Sequence, residues 1–119
     1  MGSISRISDY VKEASVLNGP LPESEELLNE AGVHVFQVTM PESYKSGRLR
    51  HSHQNKRIIV TEGSLVVHLD KGVHRILKDE QILITANRSH RLENFGASAL
   101  KIIDIRTGGG FSDDQLLTV

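Results

Sequence analysis

Three histidines are the residues of this chain best suited to metal or acid–base chemistry: two lie in Arg50-His51-Ser52-His53, and the third is His90. In an extended strand, successive side chains point to opposite faces, so we expect His51 and His53 on the same face. The stretch between His53 and His90 has the length of two antiparallel hairpins, which would return His90 to that face. Such imidazoles could hold Zn, Mn, Fe or Ni and leave positions open for a substrate oxygen. The sequence therefore predicts a closed β-barrel with a histidine-lined interior.

The elements that must position these histidines are short strands separated by turn signals. One such signal is Asp70-Lys71-Gly72, in which glycine permits a positive φ. Aromatic residues make up only 4% of the chain, so the core must consist mainly of Ile, Leu and Val, and β-branched residues favour sheets. Many short strands at regular spacing are typical of an all-β sandwich or barrel. We expect strands at 33–40, 49–53, 57–61, 65–69, 73–77, 81–85 and 99–106.

The N-terminal third lacks this pattern. Pro22 is followed by residues 23–28, which are acidic in their first turn and predict the start of a short helix; Gly32 would end that segment. The chain is thus expected to consist of a short irregular or helical extension at residues 1–32 and one barrel domain at residues 33–119.

Composition narrows the function classes. The chain has no Cys, which excludes a disulfide framework, a zinc knuckle and a thiol nucleophile, so any metal must use N and O ligands. A formal net charge of -1 gives no basic field for nucleic acid or an anionic membrane, and a small-molecule partner is the more natural expectation. There is no long apolar run and no apolar signal-peptide core, which predicts a cytoplasmic protein that does not contact membranes.

Alternation also sorts the remaining polar side chains. His34 shares its face with the apolar residues of strand 33–40, so we expect it inside the barrel, as a hydrogen-bonded wall residue rather than a ligand. His68 and His74 are expected at the surface. Asp104 lies between two isoleucines that compete for the inward face; if it faces inward, it could orient a histidine.

The residues singled out so far resemble the two sequence motifs of the cupins, a superfamily of small β-barrels. In the first motif, Lys56 stands where cupins carry a glutamate ligand, and the matching residues are Gly47, His51, His53 and Gly63. In the second motif, His90 and Asn94 match, while Asp79, Thr85 and Asn87 stand in for Gly, Pro and Gly. The resemblance implies a double-stranded β-helix, a jelly-roll-like barrel in which His51, His53 and His90 are the metal ligands.

Within the cupins, the stretches 90–96, 100–108 and 112–114 resemble the C-terminal domain of type II phosphomannose isomerases. That domain is often part of bifunctional mannose-1-phosphate guanylyltransferases. The resemblance covers about residues 33–116 and implies a sugar-phosphate isomerase of carbohydrate metabolism. Those enzymes carry an acidic and an aromatic residue where this chain has Lys56 and Ile58.

Lys56 leaves two descriptions of the pocket open. An ammonium within about 4 Å of a metal ion would repel it by several kcal/mol at an effective dielectric constant of about 20. A metal is therefore compatible with the site if Lys56 turns outward, or if the strand shifts so that a neighbour faces inward. Otherwise the pocket is free of metal, and His51, His53, His90 and Lys56 suit an anion such as a sugar phosphate, nucleotide sugar or carboxylate.

Three functions follow from these alternatives. The first is a sugar-phosphate isomerase or epimerase in which His51, His53, His90 and Lys56 are catalytic. The second is a non-catalytic module that binds a sugar or another anion, and the third is an oxygenase with iron on three histidines. In each case we expect a homodimer, because pairing of edge strands between copies would remove exposed sheet edges.

Overall fold

The computed structural model describes residues 22–108 and the backbone of residues 116–118, and this part of the chain is built from strands. The motif stretch 112–114 lies outside the described residues. No helix in the described part is long and apolar enough to cross a membrane. The strands are β1 (Glu23–Glu30), β2 (Val33–Met40), β3 (Leu49–His51), β4 (Gln54–Glu62), β5 (Leu65–Leu69), β6 (Gly72–Ile76), β7 (Gln81–Ile84), β8 (His90–Glu93), β9 (Leu100–Gly108) and β10 (Leu116–Thr118).

The strands form two antiparallel sheets that share one core. The first sheet has the order β1-β2-β9-β4-β7, and the second has the order β10-β3-β8-β5-β6. Inward-facing side chains of both sheets meet in a single apolar cluster, which includes Val38 and Ile102 from the first sheet and Val67 and Leu92 from the second. This is the all-β arrangement that the strand pattern predicts.

The inner face of the first sheet is divided into an apolar end and a polar end. Val38, Ile102 and Val60 lie side by side on β2, β9 and β4 at the apolar end. Four residues further along β9, Arg106 lies between His34 on β2 and Lys56 on β4. We call the second region the polar end of the barrel.

The predicted helix at residues 22–28 is wrong. Residues 23–30 form β1, which pairs with β2 from Glu23 opposite Thr39 to Glu30 opposite Val33. The register shifts between Glu26 and Leu28, so a bulge interrupts the alternation that would have indicated a strand. The division of the chain at residue 32 stays a prediction.

Two turn residues explain how the chain keeps the backbone of the second motif without its glycines. Asp79 has φ 71° and Asn87 has φ 70°, both in the left-handed region. Asp and Asn enter this region more readily than other residues with a Cβ, because their short polar side chains can hydrogen-bond locally. They are therefore conservative replacements for the glycines in conformational terms.

Candidate functional site

His51 and His90 lie next to each other at the polar end of the barrel. His51 ends β3 and His90 begins β8, and both side chains are buried. Their ring centroids are 5.8 Å apart with an interplanar angle of 26°. The loop before His90 is tied to β3 by a hydrogen bond from the Asn87 amide to the His51 carbonyl, 2.7 Å. The predicted return of His90 to His51 is confirmed.

Lys56 points into the same space. Its side chain is 1% exposed, and its Nζ lies 3.3 Å from His90 Nε2. The other ring nitrogen, His90 Nδ1, lies 3.0 Å from the carbonyl oxygen of Arg88. Because a carbonyl can only accept, Nδ1 carries the hydrogen, and Nε2 offers its lone pair to the Lys56 ammonium. Of the positions that the sequence left open for Lys56, the inward one is correct.

An ion pair from β9 completes the polar end. Asp104 is fully buried, and its Oδ2 accepts a hydrogen bond of 2.9 Å from Arg106 Nη2. The same oxygen lies 4.0 Å from Lys56 Nζ. The Arg106 guanidinium also lies over the Phe36 ring, 5.0 Å from its centroid. One buried carboxylate therefore faces two buried cations.

The sequence interpretation missed Arg106 and left Asp104 undecided. Both residues share their parity with Leu100 and Ile102, which are buried in the core. The register with β2 would have identified the inward face of β9, because the inward-facing His34 lies opposite Arg106. Without that register, Ile103 and Ile105 compete equally for the interior.

His34 has the wall role that the sequence predicts. Its side chain is buried, and its Nε2 contacts the Glu26 carboxylate of β1. The centroid of its ring lies 4.3 Å from the centroid of the Phe36 ring. His74 is exposed, as predicted. His68 is partly buried on the outer face, where its Nε2 lies 2.9 Å from Glu93 Oε1.

His53 departs from the prediction. The expected strand 49–53 ends at His51, and residues 52 and 53 form a bend before β4 begins at Gln54. The bend interrupts the alternation, and His53 is exposed while His51 is buried, so the buried pair that the strand 49–53 predicts is not formed. His53 Nδ1 lies 2.9 Å from the hydroxyl of Ser52.

The described residues do not fit a metal ion held by three imidazoles. Among them, no group of three or more His, Cys, Asp or Glu side chains is placed to hold a metal. His53 is exposed, and the His90 lone pair that would bind a metal faces the Lys56 ammonium. Metal ligation by His51, His53 and His90 stays a prediction that this geometry does not support.

Asn94, the last residue of the second motif, has a structural role. Its Nδ2 donates to the carbonyl oxygens of Met40, Pro41 and Ser98 at 3.0–3.2 Å, and its Oδ1 accepts from the Gly96 amide at 2.9 Å. These bonds join the end of β2 to the loop between β8 and β9. The motif residue thus stabilises the barrel at the end away from the polar end rather than lining the site.

The two facing antiparallel sheets have the cupin fold, a double-stranded β-helix. The cupin domain of Schizosaccharomyces pombe Cnp3 superposes with a TM-score of 0.70 at 16% identity, over 73% of this chain and 64% of that one. A sugar phosphate isomerase of the cupin superfamily from Silicibacter pomeroyi superposes with a TM-score of 0.67 at 23% identity, over 77% of this chain and 66% of that one.

The comparisons also identify a specific family within the cupin fold. Residues 23–119 match the model of the family described as mannose-6-phosphate isomerase C-terminal, and the chain belongs to that family. The resemblance to this domain seen in the sequence is confirmed, and the match includes β1. Among curated proteins, mannose-1-phosphate guanylyltransferase RfbM of Salmonella typhimurium is 28% identical over 80 residues, which are 67% of this chain and 17% of that protein. This chain therefore spans less than a fifth of that relative.

Proposed function

We propose that the polar end of the barrel binds a sugar phosphate. The observation that carries this proposal is the pair of buried cations, Lys56 and Arg106, beside the buried carboxylate of Asp104. Among these three side chains, two cations face one carboxylate, so together they carry a net charge of plus one. Buried charge is costly unless it is compensated, so an anionic ligand would be stabilised there.

The choice of a sugar phosphate rests on chemistry and on family. A guanidinium and an ammonium are the usual partners of phosphate oxygens, and imidazole nitrogens can hydrogen-bond sugar hydroxyls. Membership of the mannose-6-phosphate isomerase C-terminal family and the similarity to a mannose-1-phosphate guanylyltransferase favour a mannose phosphate. A cytoplasmic location and a homodimer remain predictions from the sequence.

Isothermal titration calorimetry tests this proposal with mannose 6-phosphate, mannose 1-phosphate and unphosphorylated mannose. We expect one of the phosphates to bind and mannose to bind at least about tenfold more weakly, because only the phosphate compensates the buried charge. Arg106→Gln should weaken phosphate binding by a similar factor. The control is Lys101→Gln, which removes a cation from the outer side of the same strand. Equal affinity for mannose and its phosphates would refute the proposal.

A specific contact also favours catalysis at this site. The 3.3 Å contact between Lys56 Nζ and His90 Nε2 places a proton donor beside a proton acceptor. In the isomerisation of an open-chain aldose phosphate, Lys56 would donate a proton to the carbonyl oxygen while His90 Nε2 removes the proton from C2, which gives the enediol. The enediol then gains a proton at C1 and loses one from the C2 hydroxyl, so the reaction has no net proton change.

Proton exchange measured by NMR in D₂O tests this second proposal. Wild type with mannose 6-phosphate should incorporate deuterium from solvent as the ketose forms, and His90→Gln should abolish incorporation while the barrel stays folded. Phosphate binding without exchange would instead identify a non-catalytic binding module. An iron oxygenase requires a third imidazole at the centre, and the exposed position of His53 gives that function no support.

A further inference from the structure

We propose that the Lys56 ammonium is the resident cation of this site and occupies the position in which a metal ion would be bound. This inference goes beyond the proposed function, because it concerns the affinity of the site for metals and does not depend on which ligand binds. It follows from the position of one atom, Lys56 Nζ, relative to His90 and Asp104.

The first argument is steric. A metal bound to an imidazole lies about 2.0–2.1 Å from the nitrogen, along its lone pair. At His90 that lone pair belongs to Nε2, because Nδ1 donates to the Arg88 carbonyl at 3.0 Å. Lys56 Nζ lies 3.3 Å from Nε2 and takes up the space in front of the lone pair. A metal could bind there only if Lys56 moved away.

The second argument concerns the freedom of Lys56 to move. Its side chain is 1% exposed, lies on the interior strand β4 and points towards the fully buried carboxylate of Asp104, with Nζ 4.0 Å from Oδ2. Turning outward would separate this buried pair and leave Asp104 with less positive charge around it. Lys56 is therefore held in place by the groups around it.

The third argument is charge. A glutamate with a divalent metal has a net charge of plus one, and so does a single lysine. Lys56 stands where the cupin motif has its glutamate, so the exchange keeps the net charge of the centre while replacing coordination by hydrogen bonding. The ammonium still offers N–H donors to an oxygen of the ligand.

The test is to install the carboxylate and measure metal. Wild type, Lys56→Glu and Lys56→Gln are loaded separately with Zn²⁺, Mn²⁺ and Ni²⁺, desalted, and analysed for metal per chain and for the shift in Tm on metal addition. Arg57→Glu is the matched control, because it makes the same charge change at the next residue of β4, on the outer face.

We expect wild type and Arg57→Glu to retain no stoichiometric metal. Lys56→Glu should retain about one ion per chain, and adding His90→Ala should abolish that gain. If Lys56→Glu does not fold, Lys56→Gln decides, because freeing the His90 lone pair should give a larger metal-induced rise in Tm than in wild type. Stoichiometric metal in wild type that is lost in His90→Ala would overturn the proposal. So would Lys56 variants that bind no more metal than wild type. Neither readout uses a sugar, so failure here leaves the proposed function to its own test.

Discussion

Asp104 is the residue on which the charge balance of the site depends. It is fully buried, accepts a hydrogen bond from Arg106 and lies 4.0 Å from the Lys56 ammonium. Taking two cations out of water is unfavourable, and the carboxylate compensates part of that cost. Its contribution to folding should therefore exceed that of an exposed ion pair, such as Lys101 with Glu62.

We predict that Asp104→Asn lowers the free energy of unfolding by about 3–5 kcal/mol, because it removes the buried carboxylate that faces two buried cations. Urea denaturation at neutral pH measures this loss. The control is Glu62→Gln, which removes the carboxylate of the exposed pair and should cost less than about 1 kcal/mol.

The interaction between Asp104 and Lys56 can be measured by combining substitutions at both residues. In a Lys56→Met background one of the two cations is gone, so Asp104→Asn should cost less than it does in wild type. The difference is expected to be about 0.5–3 kcal/mol, the range of coupling between contacting charged residues. An equal cost in both backgrounds would show that Lys56 and Asp104 do not interact energetically.

The sequence predicts which face of a strand a side chain lies on only where the strand is regular. Alternation placed His34 correctly, because β2 is regular over eight residues. It does not reach His53, because a bend separates β3 from β4 and His53 is exposed. It could not choose between Asp104 and its isoleucine neighbours, since both faces of β9 carry apolar residues and only the register with β2 and β4 decides.

At the scale of elements, the strands could be predicted where turn residues mark their ends. Glycine, proline and aspartate marked the ends of most strands, and the cupin motif spacing added the barrel topology. The prediction failed at β1, because its half-buried positions are Ser24 and Glu26 and no apolar period is visible. Its strand conformation comes from pairing with β2, a tertiary effect that overrides local propensity.

Comparing Gly63 with Gly32 separates two contributions to the free energy of unfolding. One is the strain of a left-handed backbone, and the other is the steric cost of a side chain. Both have a left-handed backbone, with φ 89° and φ 83°. A Cβ on Gly63 would lie 3.3 Å from the Leu100 Cα, whereas a Cβ on Gly32 would meet nothing within 4 Å. The two positions therefore differ in available space rather than in conformation.

We predict that Gly32→Ala costs about 1–2 kcal/mol from the left-handed backbone alone. Gly63→Ala should cost at least about 1 kcal/mol more, because the Leu100 backbone must shift to accept the methyl group. Thermal or urea unfolding of the two variants measures the difference. Equal costs would mean that the contact between Gly63 and β9 relaxes freely and does not constrain the turn.

At the scale of the whole molecule, β9 carries the apolar cluster and the polar end at different places along its length. Ile102 lies in the apolar cluster, and Arg106 lies four residues further on at the polar end, roughly 13 Å away along an extended strand. Residues that are this far apart and do not touch each other usually contribute almost additively to stability. A cupin barrel built in this way can change its ligand without rebuilding its core.

This independence is our last prediction. Ile102→Val should lower the free energy of unfolding by about 0.5–1.5 kcal/mol and leave the Kd for a bound sugar phosphate unchanged. Arg106→Gln should raise that Kd, and the stability losses of the two changes should add within about 0.5 kcal/mol in the double variant. Urea denaturation and calorimetry on the four proteins provide both readouts. A marked loss of affinity in Ile102→Val would show that the core and the polar end are coupled, because the strand then transmits a packing change from one end of the barrel to the other.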